Sequence, residues 1–311
     1  MGQPLYKIKK MQNEIAIKNL GLIKFYESSF RNILFIAAFA VLLLLIAIFI
    51  TLFINAFPTI KELGLGFVLK STWDPTNKEF GALPFIIGTL FTSFLALIIS
   101  LPFSISLAIF LGFYLKKGII GDLLKTTLEL LAGIPSVIYG FWALFVLVPI
   151  VRSFEISIGA LPYGVGILTA ALVLAVMIIP YSASIAREVI NMVPTDLTEA
   201  GFAMGATSSE VIRKIILPYA SSGIFAGIIM SLGRALGETM AVTMVIGNNN
   251  NLPLSLFAPA NTMASVLANE FSEATNTLHV SSLIELGLIL LVITMIVNLI
   301  GRLIIKKWYV K

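Results

Sequence analysis

The sequence has no cysteine and a single histidine, His279. That excludes disulfides and thiolate metal sites, and one imidazole cannot supply paired histidine ligands. Clustered carboxylates inside apolar segments, the other common sign of a membrane enzyme, are also missing. No metal or cofactor is therefore expected. No Gly-Lys dipeptide occurs anywhere in the 311 residues. A phosphate-cradling Walker loop needs that pair ahead of Ser or Thr, so the chain carries no recognisable ATPase site of its own. Charge is scarce too: 12% of residues are charged and 58% hydrophobic, with mean hydropathy +1.00. Such a chain cannot be mostly water-facing surface. The formal charge of +5 is small and spread along the chain, so nucleic acid is not an expected partner.

What the chain has instead is long apolar runs. Six reach the roughly 20 residues that cross a bilayer, at 32–57, 84–115, 123–150, 162–186, 219–247 and 281–305. The expected fold is therefore all-α and integral to the membrane, with six transmembrane helices. The first run is not a secretory signal. The basic stretch before it is too long for an n-region, and no small-residue cleavage site follows it. The expected organisation is a basic arm (1–31), a first helix (32–57), an outer loop (58–83), a five-helix core (84–305) and a short tail (306–311).

Lys and Arg set the orientation. Sixteen of the 21 cations fall on one side by parity, among them Lys7, Lys9, Lys10, Lys116, Lys117, Arg187, Arg213 and Lys306. Lys61, Lys70, Lys78 and Arg152 fall on the other, and Arg234 lies within a span. Both termini are expected in the cytoplasm of a multi-pass cell-membrane protein.

The same parity puts a helical knuckle, 194–218, on the cytoplasmic side. Asp196 near its start suits a helix amino end. Leu197, Ala200, Gly201, Met204 and Gly205 form a small or apolar stripe at helical spacing. Gly205 permits a left-handed turn, Thr207 to Glu210 has capping-box spacing, and Pro218 should restart the chain into the fifth span. The alternative is an amphipathic helix lying on lipid, which normally displays bulkier residues.

Two further segments sit inside spans. Arg234, in Gly233-Arg234-Ala235-Leu236-Gly237-Glu238-Thr239, lies about 22 Å into the fifth span at helical rise. Arg there costs on the order of 2.5–3.5 kcal/mol even on a lenient scale, so it should face protein or a water-filled path. Glu238, one turn further on the same face, can partner it. The pair reads as an ion pair locking two helices, or as a guanidinium on an anion path with a carboxylate that tempers it, and both can hold in different conformations. Gly223-x-x-x-Gly227 and Gly233-x-x-x-Gly237 should allow close helix approach. In the third span Pro135 should kink the helix and free the Leu131 carbonyl, with Ser136 and Tyr139 as polar groups beside the kink. Glu129 is read as a structural or gating carboxylate, and His279 as a surface residue.

The knuckle resembles the cytoplasmic signature of ABC importer permeases, Glu-Ala-Ala, three residues, Gly, nine residues, Ile-x-Leu-Pro. Glu199, Ala200, Gly201, Gly205, Ile215, Leu217 and Pro218 match it, with Gly201 replacing the usual alanine at a helix-propensity cost of about 1 kcal/mol. The segments 80–89, 131–136 and 233–239, with Trp73-Asp74-Pro75, resemble the C-type permeases of phosphate-specific ABC importers. The resemblance implies a type I ABC importer permease fold and a knuckle that docks on a separate ATPase. It also implies a heterodimer with an A-type permease, two ATPase copies and an extracytoplasmic phosphate-binding protein. The implied cargo is inorganic phosphate, passing Arg234, Glu238, Ser136 and Tyr139. The binding protein would dock on 61–84 and 248–280. The alternatives are another oxyanion (molybdate, sulfate or tungstate) or a stand-alone secondary carrier.

Overall fold

The structure is a computed structural model that describes the backbone of residues 3–308 and the side chains of residues 26–306. The side chains of the arm cations Lys7, Lys9, Lys10, Lys18 and Lys24, and of Lys307 and Lys311 in the tail, lie outside that range. The chain divides into two compact units, residues 1–54 and 55–311. The first belongs to α1 (Gln3–Leu63). Its apolar side chains between Ile33 and Ile50 are largely exposed, a surface that a bilayer covers and water does not.

The second unit continues from the end of α1 through α2 (Gly66–Leu69) and α3 (Leu83–Ile109). Then come α4 (Ile119–Ala132), α5 (Ser136–Trp142), α6 (Val148–Ser157) and α7 (Ile167–Asn191). The knuckle holds α8 (Thr195–Ala203) and α9 (Ser208–Val211), and α10 (Leu217–Leu236) follows it. The chain ends in α11 (Met240–Val245), α12 (Met263–Glu270) and α13 (Thr277–Trp308). Wide π-type turns at Phe110–Tyr114, Ala143–Leu147 and Ile212–Ile216 extend α3 and join α5 to α6 and α9 to α10. Among the described residues, six helical stretches are long and apolar enough to span a membrane.

Two of the six differ most from the sequence expectation. The third spanning helix is Ser136–Ser157, so its start moves from 123 to Ser136. Gly133-Ile134-Pro135 ends one helix and begins another, where a kink was expected. Pro135 has no N–H for the ladder and crowds the preceding turn, and Gly133 already closes α4. The fifth spanning helix, Ser208–Leu236, starts eleven residues earlier than expected and stops at Leu236 instead of reaching 247. Pro218 stands in the first turn of α10 as expected, although the helical path runs on from the knuckle. The wide turn just before Pro218 spaces the backbone so that the missing donor breaks nothing.

The core centres on α7, of which 67% of the most apolar window is buried. Small residues let its neighbours come close. Ser182 of α7 donates to Ser104 of α3 at 2.6 Å. Gly223 and Gly227 of α10 receive Val189 and Ile185 of α7, where a Cβ would lie 2.5 Å and 2.9 Å from their methyl groups. That is the close approach expected of the first glycine pair. The second pair behaves differently: Gly233 makes only ordinary contact with Asn298, and Gly237 ends the helix.

A second cluster gathers Phe67, Trp73, Phe80, Phe85, Met263 and Leu286. At its edge Trp73 Nε1 donates to Glu270 Oε2 at 2.9 Å, Asn250 donates to Glu270 Oε1 at 3.0 Å, and His279 Nε2 lies 3.1 Å from Glu270 Oε2. His279 is buried and stacked on Phe80, which corrects its reading as a surface residue. Its neighbours in sequence are polar, but α13 starts at Thr277 and turns the ring inward.

Gly88 of α3 abuts the Asn261 carbonyl with no room for a Cβ. The obstacle is backbone, which cannot rotate away. Gly88→Ala should therefore destabilise by about 1–3 kcal/mol, the usual cost of overpacking. Thermal unfolding of the detergent-purified protein, followed by size-exclusion fluorescence, should show a lowered midpoint; an unchanged midpoint would refute the packing.

Candidate functional site

Arg234 sits in the last turn of α10, where the cation opposes the partial negative charge of the helix end. Its guanidinium lies 5.5 Å from the ring centroid of Tyr181 on α7. It enters none of the ion pairs or hydrogen bonds formed among the described residues. A guanidinium that stacks on an aromatic face keeps its N–H edges available for an oxyanion fork.

Glu238 does not pair with it. The helix stops at Leu236, so Glu238 is not one turn further on the same face. Gly237-Glu238-Thr239 is a break, and Glu238 Oε1 accepts from the Ala241 N–H at 3.3 Å, serving the first turn of α11. No ion pair joins these two residues in this structure. Gly237 allows the helix to end, and the carboxylate is better used on an orphan backbone donor across a short loop.

Tyr139 lies on α5, the helix that packs against α11 beyond the end of α10. Its hydroxyl donates to the Leu131 carbonyl at 2.8 Å, across the Gly133–Pro135 break. Leu131 is the acceptor that Pro135 was expected to leave short of a partner, and Tyr139 supplies one. Ser136 opens α5 one turn before Tyr139 and is half-buried. Gly140 holds α5 against α11, where a Cβ would meet Met244 Sδ at 2.7 Å and Ala241 Cα at 3.0 Å. Arg234, Glu238 and Tyr139 are thus gathered around two helix breaks, one before α5 and one before α11, with Ser136 at the first of them.

Sequence reasoning does not single out Tyr181. A signal is there: Pro180-Tyr181-Ser182 is a polar interruption in an otherwise apolar run, at a proline that leaves α7 continuous.

At the knuckle, α8 and α9 are joined by Gly205, with φ +85°. Thr207 and Glu210 form the expected capping box. Gly201 is buried against α9 and the wide turn: a Cβ would lie 2.6 Å from Ile215 Cδ1 and 3.2 Å from Val211. The glycine that departs from the family alanine is what lets Ile215 seat between the helices. Ile215 and Leu217 are half-buried, and Pro218 is exposed on the helix that leaves the knuckle. Glu199, Ala200, Phe202 and Met204 form the outer face. Glu129 pairs with Arg187 at 3.6 Å, consistent with a structural carboxylate.

Residues 104–309 match the family described as binding-protein-dependent transport system inner membrane component. The phosphate transport system permease protein PstC of Haemophilus influenzae is 43% identical over 300 residues, covering 90% of this chain and 93% of that protein. A probable phosphate transport system permease protein PstC of Methanocaldococcus jannaschii is 36% identical over 296 residues, 90% of this chain and 93% of that one. Among solved structures, the inward-facing MetNI methionine ABC transporter aligns with TM-score 0.55 at 19% identity, over 74% of this chain and 95% of the matched chain. The fold is that of a type I ABC importer permease. With both the family signature and close relatives over nine-tenths of its length, the chain belongs to the family of binding-protein-dependent transport system inner membrane components.

Proposed function

We propose that this chain is the C-type permease of an ATP-driven importer and forms half of a path for inorganic phosphate. The observation that carries the reading is Arg234, a half-buried guanidinium stacked on Tyr181 with no ion pair among the described residues. A half-buried cation without a partner is costly, and an anionic cargo that visits it transiently offsets that cost. The names of relatives that share more than a third of its residues favour phosphate as the cargo. Ser136 and Tyr139 would border the path, and Glu238 would shape it by holding α11 in place.

The knuckle, through Glu199, Ala200, Gly201 and Gly205 with Ile215, Leu217 and Pro218, would dock on one of two separate ATPase subunits. The termini and the knuckle would lie in the cytoplasm, following the cation asymmetry. An A-type permease would complete the path. An extracytoplasmic phosphate-binding protein would dock on the loops 61–84 and 248–280, which Trp73, Asn250 and Glu270 tie into one surface. Closure of the motor would move the knuckle and, through α10, the break that carries Arg234.

Arg234→Gln should abolish phosphate uptake in cells while leaving insertion and assembly intact; uptake at the wild-type rate overturns the path role. In the same assay Glu238→Gln should retain more activity than Glu238→Ala, because an amide oxygen can still accept from Ala241. The lost cap in the alanine variant costs about 1 kcal/mol. Equal loss in both variants would restore charge pairing as its role.

Gly201→Leu should wedge Ile215 out and release the ATPase during copurification, whereas Gly201→Ala needs only a shift of the Ile215 tip and should keep it. Retention of the ATPase by the leucine variant would argue against docking through this knuckle.

A further inference from the structure

Arg187, at the end of α7, is the most deeply buried cation among the described side chains, 5% exposed. Its Nε has no hydrogen-bond partner among the described residues. Its contacts with Glu129 and Glu188, at 3.6 Å and 3.8 Å, are too long for hydrogen bonds, and both carboxylates are themselves more than half exposed. A guanidinium carries five donors in a fixed fork, and burying them without acceptors is expensive. Arg187 lines a cavity of about 350 Å³ on a different side of α7 from Ile185 and Val189, which face α10.

The other walls of that cavity carry two cations, two carboxylates and one amide among apolar residues. Lys116 and Lys125 contribute two ammonium groups, and Asn191 an amide. The first turn of α4 enters through Gly121, pressed too closely against the Leu115 carbonyl to admit a Cβ. Asp122 and Glu188 also border the cavity, both on exposed positions. They offset two of the three positive charges but leave the buried Nε without an acceptor. Leu115 lines the cavity, and Ile119 and Ile120 beside Gly121 are exposed apolar residues.

We propose that this cavity is an oxyanion site for a phosphate group, held by the Arg187 fork with Lys116 and Lys125 and separate from the Arg234 path. A tetrahedral anion has enough oxygens to accept from the guanidinium and an ammonium together, and the first turn of a helix favours it. Two sources share that chemistry. One is free inorganic phosphate on the side of the knuckle; the other is the phosphodiester headgroup of an anionic lipid, whose chains would run along the exposed isoleucines. The assignment does not depend on phosphate being the transported cargo.

The test uses the full-length chain, purified with the subunits that copurify with it, and carries Arg234→Gln in every sample so that the path contributes no anion binding. Radiolabelled inorganic phosphate is measured by equilibrium dialysis. Phosphatidylglycerol, with phosphatidylcholine as the uncharged comparison, is measured by native mass spectrometry. One of the two anionic probes should bind, and Arg187→Gln should weaken it at least about tenfold, as expected for loss of a charged hydrogen-bonding partner. Retention of inorganic phosphate identifies the free ion; retention of phosphatidylglycerol but not phosphatidylcholine identifies the headgroup. If Arg187→Gln does not fold, Lys116→Gln with Lys125→Gln decides, since both side chains are exposed, and should weaken binding several-fold. Failure of both probes to bind, or binding unchanged by the deciding variant, overturns the site. Because Arg187 is intact in the Arg234→Gln uptake assay, failure here leaves the transport reading standing.

Discussion

α7 can be buried among α3, α4 and α10 only because its neighbours present small residues where they meet it. Ser104 and Ser182 share a hydrogen bond across α3 and α7, and Gly223 and Gly227 admit the β-branched side chains of α7 from α10. In a membrane the tails of lipids are as apolar as leucine, so helices gain little by hiding apolar area from one another. Close packing and a few internal hydrogen bonds must hold them instead. That requirement fixes the face of α10 turned to α7, and it thereby fixes where Arg234 at the end of α10 can point.

The site follows from two interruptions in this packing. A helix break leaves backbone groups that protein or water must satisfy. Before α5, the hydroxyl of Tyr139 serves the Leu131 carbonyl. Before α11, the carboxylate of Glu238 serves the Ala241 amide. Each break is repaired by one polar side chain, and between them lies a guanidinium that repairs nothing. It rests on the face of Tyr181, which uses the ring and leaves the N–H edges unspent. In the proposed function, such a charge serves an anion that comes and goes.

Much of this is legible in residues. Hydropathy locates all six spanning helices, since runs such as Ile33 to Ile50 have no other environment. The knuckle is readable because capping box, glycine turn and proline fall at fixed spacing, and Gly201 keeps the close packing that a small residue there implies. Three features are not readable. A proline gives no sign of whether a helix will kink, break or pass through. Pro135 breaks, Pro180 passes, and Pro218 is absorbed by a wide turn, depending on which neighbour can take up the freed carbonyl. Counting helical turns places Glu238 beside Arg234, and the count fails where Gly237 ends the helix. His279 looks exposed because its surroundings in sequence are polar, whereas Glu270 and Phe80, which bury it, come from distant segments.

Whether the unspent charge of Arg234 acts on an anion in a water-filled path can be measured directly, because the chain has no cysteine to confuse a thiol probe. Ser136→Cys, introduced into the assembled transporter, would be reacted with an anionic and a neutral thiol reagent of similar size during turnover. The anionic reagent should react faster, phosphate should slow it, and the advantage should disappear when Arg234 is replaced by glutamine. An introduced thiol that is unreactive in every state, or an anionic preference that survives loss of Arg234, would rule out that role for the guanidinium.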